Sequence, residues 1–179
     1  MAAGANAARQ KVAVRIARLA DSEALGLFLL RAWSEAGPGA LGFTGATTDQ
    51  IQDISSERFL TQRIANPDVK IIIAQAGDSV VGFASLRAKD HNSVELSGII
   101  VLQSASGAGV GTRLIRRALL LAAKLGFRSM VVRTEVFNHR ALGFYRKNGF
   151  TETAKETEKV GQTEVEVRVL RKVLGRNTG

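Results

Sequence analysis

The chain has 179 residues, a formal net charge of +9, 45% apolar and 23% charged residues, no cysteine and two histidines. That length makes one domain with a sizeable core the default, and the missing cysteines exclude disulfides, Cys-ligated zinc and a Cys nucleophile; His91 and His139 alone disfavour a histidine-built metal site. The positive charge attracts anions, such as nucleic acid, a membrane surface or a phosphorylated ligand, but the basic residues are scattered and the aromatics, at 6%, do not interleave with them, which disfavours a stacking platform for nucleic acid.

The opening MAAGANAARQK has no apolar core of a secretory signal, and no apolar run approaches the roughly 18 residues of a membrane span. The expectation is therefore a cytoplasmic protein with a frayed arm at 1–11, one domain over 12–174 and a short tail at 175–179. Val12, Val14 and Ile16 alternate with Ala13, Arg15 and Ala17, which predicts a first strand. Asp21 is a helix N-cap for a run through Trp33, with Leu25, Phe28, Leu29 and Trp33 on one face. Four glycines and Pro38 make the stretch from Glu35 to Thr47 a loop. A second helical region covers about 48–65, and Ser55-Ser56-Glu57 can restart it as a separate short helix.

VKIIIAQ and SVVGFASLR then read as two strands of a hairpin turning at Gly77-Asp78. VELSGIIVLQ is a longer, almost continuously apolar strand, expected to be buried on both faces. After a glycine-rich stretch, Val110, Leu114, Ala118, Leu121 and Leu125 recur at helical spacing with Arg113, Arg116, Arg117 and Lys124 opposite, and Gly126 ends the helix. SMVVRTEV is a strand, Asn138 caps a short helix ending near Gly149, and TETAKETEKV with TEVEVRVLRKV form a last hairpin around Gly161-Gln162. The order βααβββαβαββ predicts an α/β fold, a central mixed sheet with helices on both faces.

The glycine-rich stretch, QSASGAGVGTRL at 103–114, lies between a buried strand and a helix. Glycines at 107, 109 and 111 there build a concave nest of amides at a helix N-terminus, suited to phosphate. A P-loop needs Gly-Lys-Ser/Thr after its last glycine, and Thr112-Arg113 follows Gly111 instead. A dinucleotide fingerprint needs a glycine where Thr112 stands. Taken alone, the loop leaves a ligand-free strand-to-helix turn as the alternative.

Gly-x-Gly-x-Gly-Thr after a strand ending in Ile-Ile-Val resembles the acetyl-coenzyme A loop of the GNAT superfamily of N-acetyltransferases. NHRALGFYRKNGF at 138–150 resembles that superfamily's later motif through Asn138, Ala141, Tyr145, Gly149 and Phe150. Two motifs in the right order, separated by a helix and a strand, are far more specific than either, and the resemblance covers about residues 12–173. It implies a GNAT-like fold and an acetyl-coenzyme A-dependent N-acetyltransferase acting on a primary amine, with no metal. It also implies coenzyme A contacts from Ile99, Ile100 and Val101 on the strand, from Ser106, Gly107, Ala108, Gly109, Val110, Gly111 and Thr112 on the loop, and from Asn138, Arg140 and Tyr145. One departure stands out: the family usually carries Arg or Gln where Ser106 stands, and Ala108 replaces a common basic residue. Losing a charge-assisted contact costs ~1–2 kcal/mol, and Arg113, Arg140 and Arg146 are the nearest candidates to compensate.

Acetyl transfer from a thioester to an amine needs positioning, a base for the amine proton and an acid for the thiolate. Gly98 inside the long strand marks a bulge where two strands splay and expose backbone to pantetheine. Glu95, on the same face as Ser97, Ile99 and Val101 by period two, is the first candidate base, directly or through water, with a structural ion pair as its alternative. Glu135, ending the neighbouring strand, is the second. Tyr145 is the family's usual donor to the thiolate. The acceptor stays open among polyamines, protein N-termini, lysine side chains and amino-sugars. The glutamates of the last hairpin (152, 156, 158, 164 and 166) either attract a cationic acceptor or merely solvate an edge. Two rival functions remain, a non-catalytic acyl-coenzyme A sensor and a basic nucleic-acid-binding protein on the same scaffold, and a homodimer is left open.

Overall fold

Every apolar strand read from the sequence finds a partner in one seven-stranded sheet. The computed structural model describes residues 11–36, 47–160 and 163–175. The expected arm and tail, the loop centred on 37–46 and the last hairpin's turn at 161–162 fall wholly or mostly outside the described residues. Chain order is β1 (Val12–Ile16), α1 (Ser22–Ala36), α2 (Thr48–Ser55), α3 (Glu57–Ala65), β2 (Val69–Ala76), β3 (Ser79–Ala88), β4 (Ser93–Val101), α4 (Val110–Lys124), β5 (Ser129–Glu135), α5 (His139–Lys147), β6 (Thr151–Val160) and β7 (Thr163–Val173). The strands lie in the order β1-β2-β3-β4-β5-β7-β6, antiparallel throughout except where β4 meets β5.

Pleating sends alternate side chains of the sheet into two cores. On one face Ile72, Ala84, Leu86, Leu96, Met130 and Val132 pack with Leu114, Ile115 and Ala118 of α4 and Leu142 and Tyr145 of α5. On the other, Val69, Ile71 and Ile73 pack with Leu25, Phe28 and Leu29 of α1, Ile51 of α2 and Leu60 of α3. Local signals set the helix boundaries. The Ser56 hydroxyl accepts the Phe59 amide at 3.3 Å and starts α3 afresh. Asp21 does not cap α1 as expected. It closes a single 3-10 turn (Leu19–Asp21), accepting the Arg18 amide at 2.6 Å and pairing with Arg15 at 2.7 Å, and α1 begins one residue later. No helix among the described residues is long and apolar enough to cross a membrane.

β4 departs from its expected burial. It pairs with β3 along its whole length but with β5 only where Ser93–Glu95 face Ser129–Val131. Beyond Glu95 the two parallel neighbours part, because β5 continues against β7 to Glu135. Burial on both faces therefore holds for Ser93–Leu96, while Ser97–Val101 are partly open.

The bulge foreseen at Gly98 is present one residue earlier. Ser85 faces Gly98 and Leu86 faces Leu96, so Ser97 is the extra residue. That insertion overturns the period-two assignment: Glu95 opposite Arg87 shares its face with Gly98 and Ile100, while Ile99 and Val101 turn to the α4 side.

Candidate active site

Geometry builds the glycine loop from its backbone. Gly107 and Gly109 have φ of 81° and 74°, a region that L side chains rarely adopt, and where each Cβ would stand there is no atom within 4 Å. Ser106, Gly107, Ala108 and Gly109 are exposed. The Arg113 amide is the first to bond back, to the Gly109 carbonyl at 3.0 Å. The amides of Val110, Gly111 and Thr112 are thus left without an intrahelical acceptor at the positive end of α4. Val110 itself points its side chain into the core beneath Gly82. Gly111 has an ordinary φ, and its absent Cβ would sit 3.5 Å from the Phe144 ring, so it serves close packing between α4 and α5.

Of the three arginines offered in place of a basic residue at 106, Arg140 is the one that arrives. Its Nη2 donates to the Ser106 hydroxyl at 2.8 Å, carrying a guanidinium from the first turn of α5 to the loop. Arg146 is turned away onto Glu152 at 3.3 Å, and Arg113 is exposed on α4.

Where β4 and β5 part, β4 offers the backbone of Leu96–Val101 on the side that no strand covers, with Ile99, Ile100 and Val101 half-buried. Glu135 ends β5, its carboxylate accepting from the Thr134 hydroxyl at 3.4 Å. Asn138 follows, its side-chain oxygen accepting the Ala141 amide at 3.0 Å as the N-cap of α5. Two turns on, Tyr145 is buried, its ring set edge-to-face between Phe144 at 5.5 Å and Phe150 at 5.7 Å. Burial, and after it the negative charge of Glu135, push the phenol above its ordinary range and keep it protonated. The two residues named from separate parts of the sequence therefore feel one another.

Glu95 is differently placed. It is buried, with Arg133 at 2.7 Å, Arg87 at 2.9 Å and Lys89 at 3.8 Å. Burial acts to raise its carboxyl, but the Arg87 hydrogen bond and the charges of Lys89, Arg133 and Arg87 outweigh it and leave the group below the usual carboxylate range. Arg133 also meets Glu156 at 3.2 Å and Glu158 at 3.0 Å, while Glu152 pairs with Arg168 and Arg146. These hairpin glutamates are answered within the chain. Glu95, Arg87, Arg133, Ser97, Glu156 and Glu158 line an open cavity of about 460 Å³ on the α1–α3 side of the sheet. The sequence pattern does not single out Arg87, Lys89 or Arg133. Their period-two spacing, with Arg133 two before Glu135, is the only local sign that they share a face.

The model of the acetyltransferase (GNAT) family matches residues 40–150. An uncharacterised N-acetyltransferase of Mycobacterium tuberculosis strain H37Rv is 28% identical over 143 residues, 80% of this chain and 91% of the relative. The mycothiol acetyltransferase of Jonesia denitrificans is 34% identical over 87 residues, 47% of this chain and 28% of that protein. Among solved structures, the PaiA N-acetyltransferase of Thermoplasma acidophilum in complex with coenzyme A aligns over 91% of this chain and 99% of its own, with TM-score 0.69 and 19% identity. YncA of Salmonella typhimurium with acetyl-coenzyme A aligns over 94% and 96%, with TM-score 0.71 and 20% identity. At these identities the two structures speak for the fold.

Proposed function

The chain belongs to the acetyltransferase (GNAT) family and is an acetyl-transferring enzyme, and from that premise we propose that it moves an acetyl group from acetyl-coenzyme A to a primary amine by direct attack with both substrates bound. The observation that carries this reading is the meeting of three features at one place: an amide nest at the start of α4, a strand edge left open where β4 and β5 part, and a protonated tyrosine beside a carboxylate.

The residues present fit the cosubstrate. Gly107 and Gly109 leave open space in front of bare amides, and Arg140 brings the positive charge that Ser106 lacks. A diphosphate is held by those amides, from 107 to 112, together with the end of the α4 dipole. The free backbone of 98–101 pairs with pantetheine amides as an added strand, and the Asn138 side-chain amide, whose oxygen is spent on its cap, keeps its donors for the same arm. Acetyl-coenzyme A supplies an acyl group already activated as a thioester, so the chain has to orient two reactants and move two protons. Glu135 takes the proton of the incoming amine. Tyr145 gives its proton to the departing thiolate. Glu95, held by three cations and below the usual range, is poorly suited to take a proton and acts as the anchor of the sheet beside them.

Thermal unfolding with and without acetyl-coenzyme A tests the reading, because a ligand that binds only the folded chain raises Tm; at a hundred times Kd the gain is about 2.7 kcal/mol. Gly109→Leu, forcing a branched side chain into a positive φ before the nest, abolishes the shift. Release of free thiol that depends on an added amine separates an enzyme from a non-catalytic binder. No Tm shift at saturating acetyl-coenzyme A overturns the proposal.

A further inference from the structure

Three of the four cations on the open face beside Glu95 are answered. Arg87 and Lys89 have Glu95, and Arg133 has Glu95, Glu156 and Glu158. Arg63 of α3 is the fourth. Its guanidinium lies 6.0 Å from the centroid of the Phe59 ring, and Nη2 donates to the buried Ser85 hydroxyl at 3.1 Å. Among the described residues no carboxylate comes within 4 Å of it, and the residues outside that set (1–10, 37–46, 161–162 and 176–179) contain no Asp or Glu. Arg63 is half-buried, and burial first and the charge of Arg87 second both act against its cation. An anion relieves both.

The place matters as much as the charge. Ser85 faces Gly98 in register at the bulge, one strand spacing (about 4.8 Å) from the edge that opens where β4 and β5 part. Ser97, the bulged residue, donates to the Ser85 carbonyl and approaches its hydroxyl, both at 3.1 Å, and lines the open cavity with Glu95 and Arg87. The half-buried Arg63 guanidinium, a fixed fork of donors, thus reaches β3 one strand in from the split, where it holds the serine that Ser97 of the cavity wall also contacts.

Resting on the acetyl-transfer reading for the site of attack, we propose that the remaining donors of the Arg63 guanidinium receive a carboxylate carried by the acceptor, which makes the acceptor an amine of the amino-acid class. One uncompensated cation matches one negative charge. The same uncompensated cation repels the second ammonium of a polyamine placed against it. Glu135 and Tyr145 then act on the amino end while Arg63 holds the acid end, and the acceptor is oriented by its two opposite charges.

The test pairs each of a panel of amino acids with the amine that lacks its carboxylate, such as phenylalanine with phenethylamine or lysine with cadaverine. With the full chain, thiol release favours the acid of at least one pair by about tenfold in kcat/KM, the size of one charge-assisted contact near a surface. Arg63→Gln brings that ratio to about one, through KM, and Arg63→Lys restores part of it. A wild-type ratio at or below one in every pair overturns the proposal, as does a ratio that Arg63→Gln leaves intact. A second arm needs no turnover: calorimetry of N-acetyl amino acids against their uncharged acetamide counterparts on the coenzyme A-loaded protein. Tighter binding of the acids that is lost in Arg63→Gln, with no amine ever acetylated, keeps the carboxylate receptor and overturns acetyl transfer. Equal binding of acids and acetamides overturns the receptor whatever the turnover shows.

Discussion

Tyr145 is kept protonated from two sides, by the rings packed on it and by the charge of Glu135. A phenol raised above its ordinary value does not titrate at neutral or mildly alkaline pH, so the proposed donor keeps its proton throughout the working range. Tyr145→Phe keeps the packing and removes the proton. Its kcat should fall by the ~10²–10⁴ of lost acid catalysis at every pH, with the acetyl-coenzyme A-induced Tm shift retained. Glu135→Gln should behave otherwise: the loss is greatest at low pH, where the amine is protonated, and rising pH restores part of the rate. A pH–rate profile of each variant checks both, and a Tyr145→Phe enzyme with near-normal kcat assigns the proton to solvent. The sequence offers both residues as candidates, Tyr145 through the Asn-to-Tyr motif and Glu135 through the strand end. Their mutual influence is not visible there, since nine residues of turn and helix lie between them.

Elements bring the two motifs together, and one contact shows how. The loop before α4 lacks the usual basic residue at 106, and the first turn of α5 supplies Arg140 at 2.8 Å from the Ser106 hydroxyl. Arg140→Ala should weaken acetyl-coenzyme A binding about tenfold, the ~1–2 kcal/mol of a charge-assisted contact, and Ser106→Arg in that background should recover it with steeper salt dependence. Titration calorimetry at two salt concentrations measures this, and an affinity unmoved by Arg140→Ala means the amides alone saturate the diphosphate. The sequence offered Arg140 as a coenzyme A contact and as one of three candidates to compensate for Ser106, and which of the three reaches Ser106 depends on how α5 packs on α4. The split of α2 from α3 was readable at Ser56, whose hydroxyl does a local job. The β4 bulge was misplaced by one residue for a physical reason. From Ile99 to Leu102 every side chain is apolar, so inserting Ser97 leaves no visible break in the alternation. The opposite face of Ile99 emerges only from the pairing with β3.

At the scale of the molecule, the split that opens the site costs sheet pairing, and an ionic cluster sits at the last closed rung. Glu95 faces Val131 there, and its carboxylate gathers Arg87 from β3, Lys89 just beyond the end of β3 and Arg133 from β5, which in turn holds Glu156 and Glu158 of β6. This cross-strand tie was hidden in the sequence, since its members come from four strands spread over 72 residues. Glu95 has a folded pKa below its unfolded value, so its contribution to stability is fully present above the unfolded carboxylate range, about pH 4.5, and is lost as pH falls through the lowered value. Removing the carboxylate of a buried pair costs about 3–5 kcal/mol, and the half-exposed Arg87 and Lys89 reduce that to roughly 2 kcal/mol here. Glu95→Gln should therefore lower Tm at pH 7 by about 4–8 °C, and the gap to the wild type should close below pH 4.5. Thermal unfolding of both chains from pH 7 to pH 3 measures the gap. If Glu95 were instead the base, the substitution would leave Tm nearly unchanged and depress the rate, most strongly at low pH. A constant Tm gap across the acid range would show that the tie owes its strength to packing and not to the charge of Glu95.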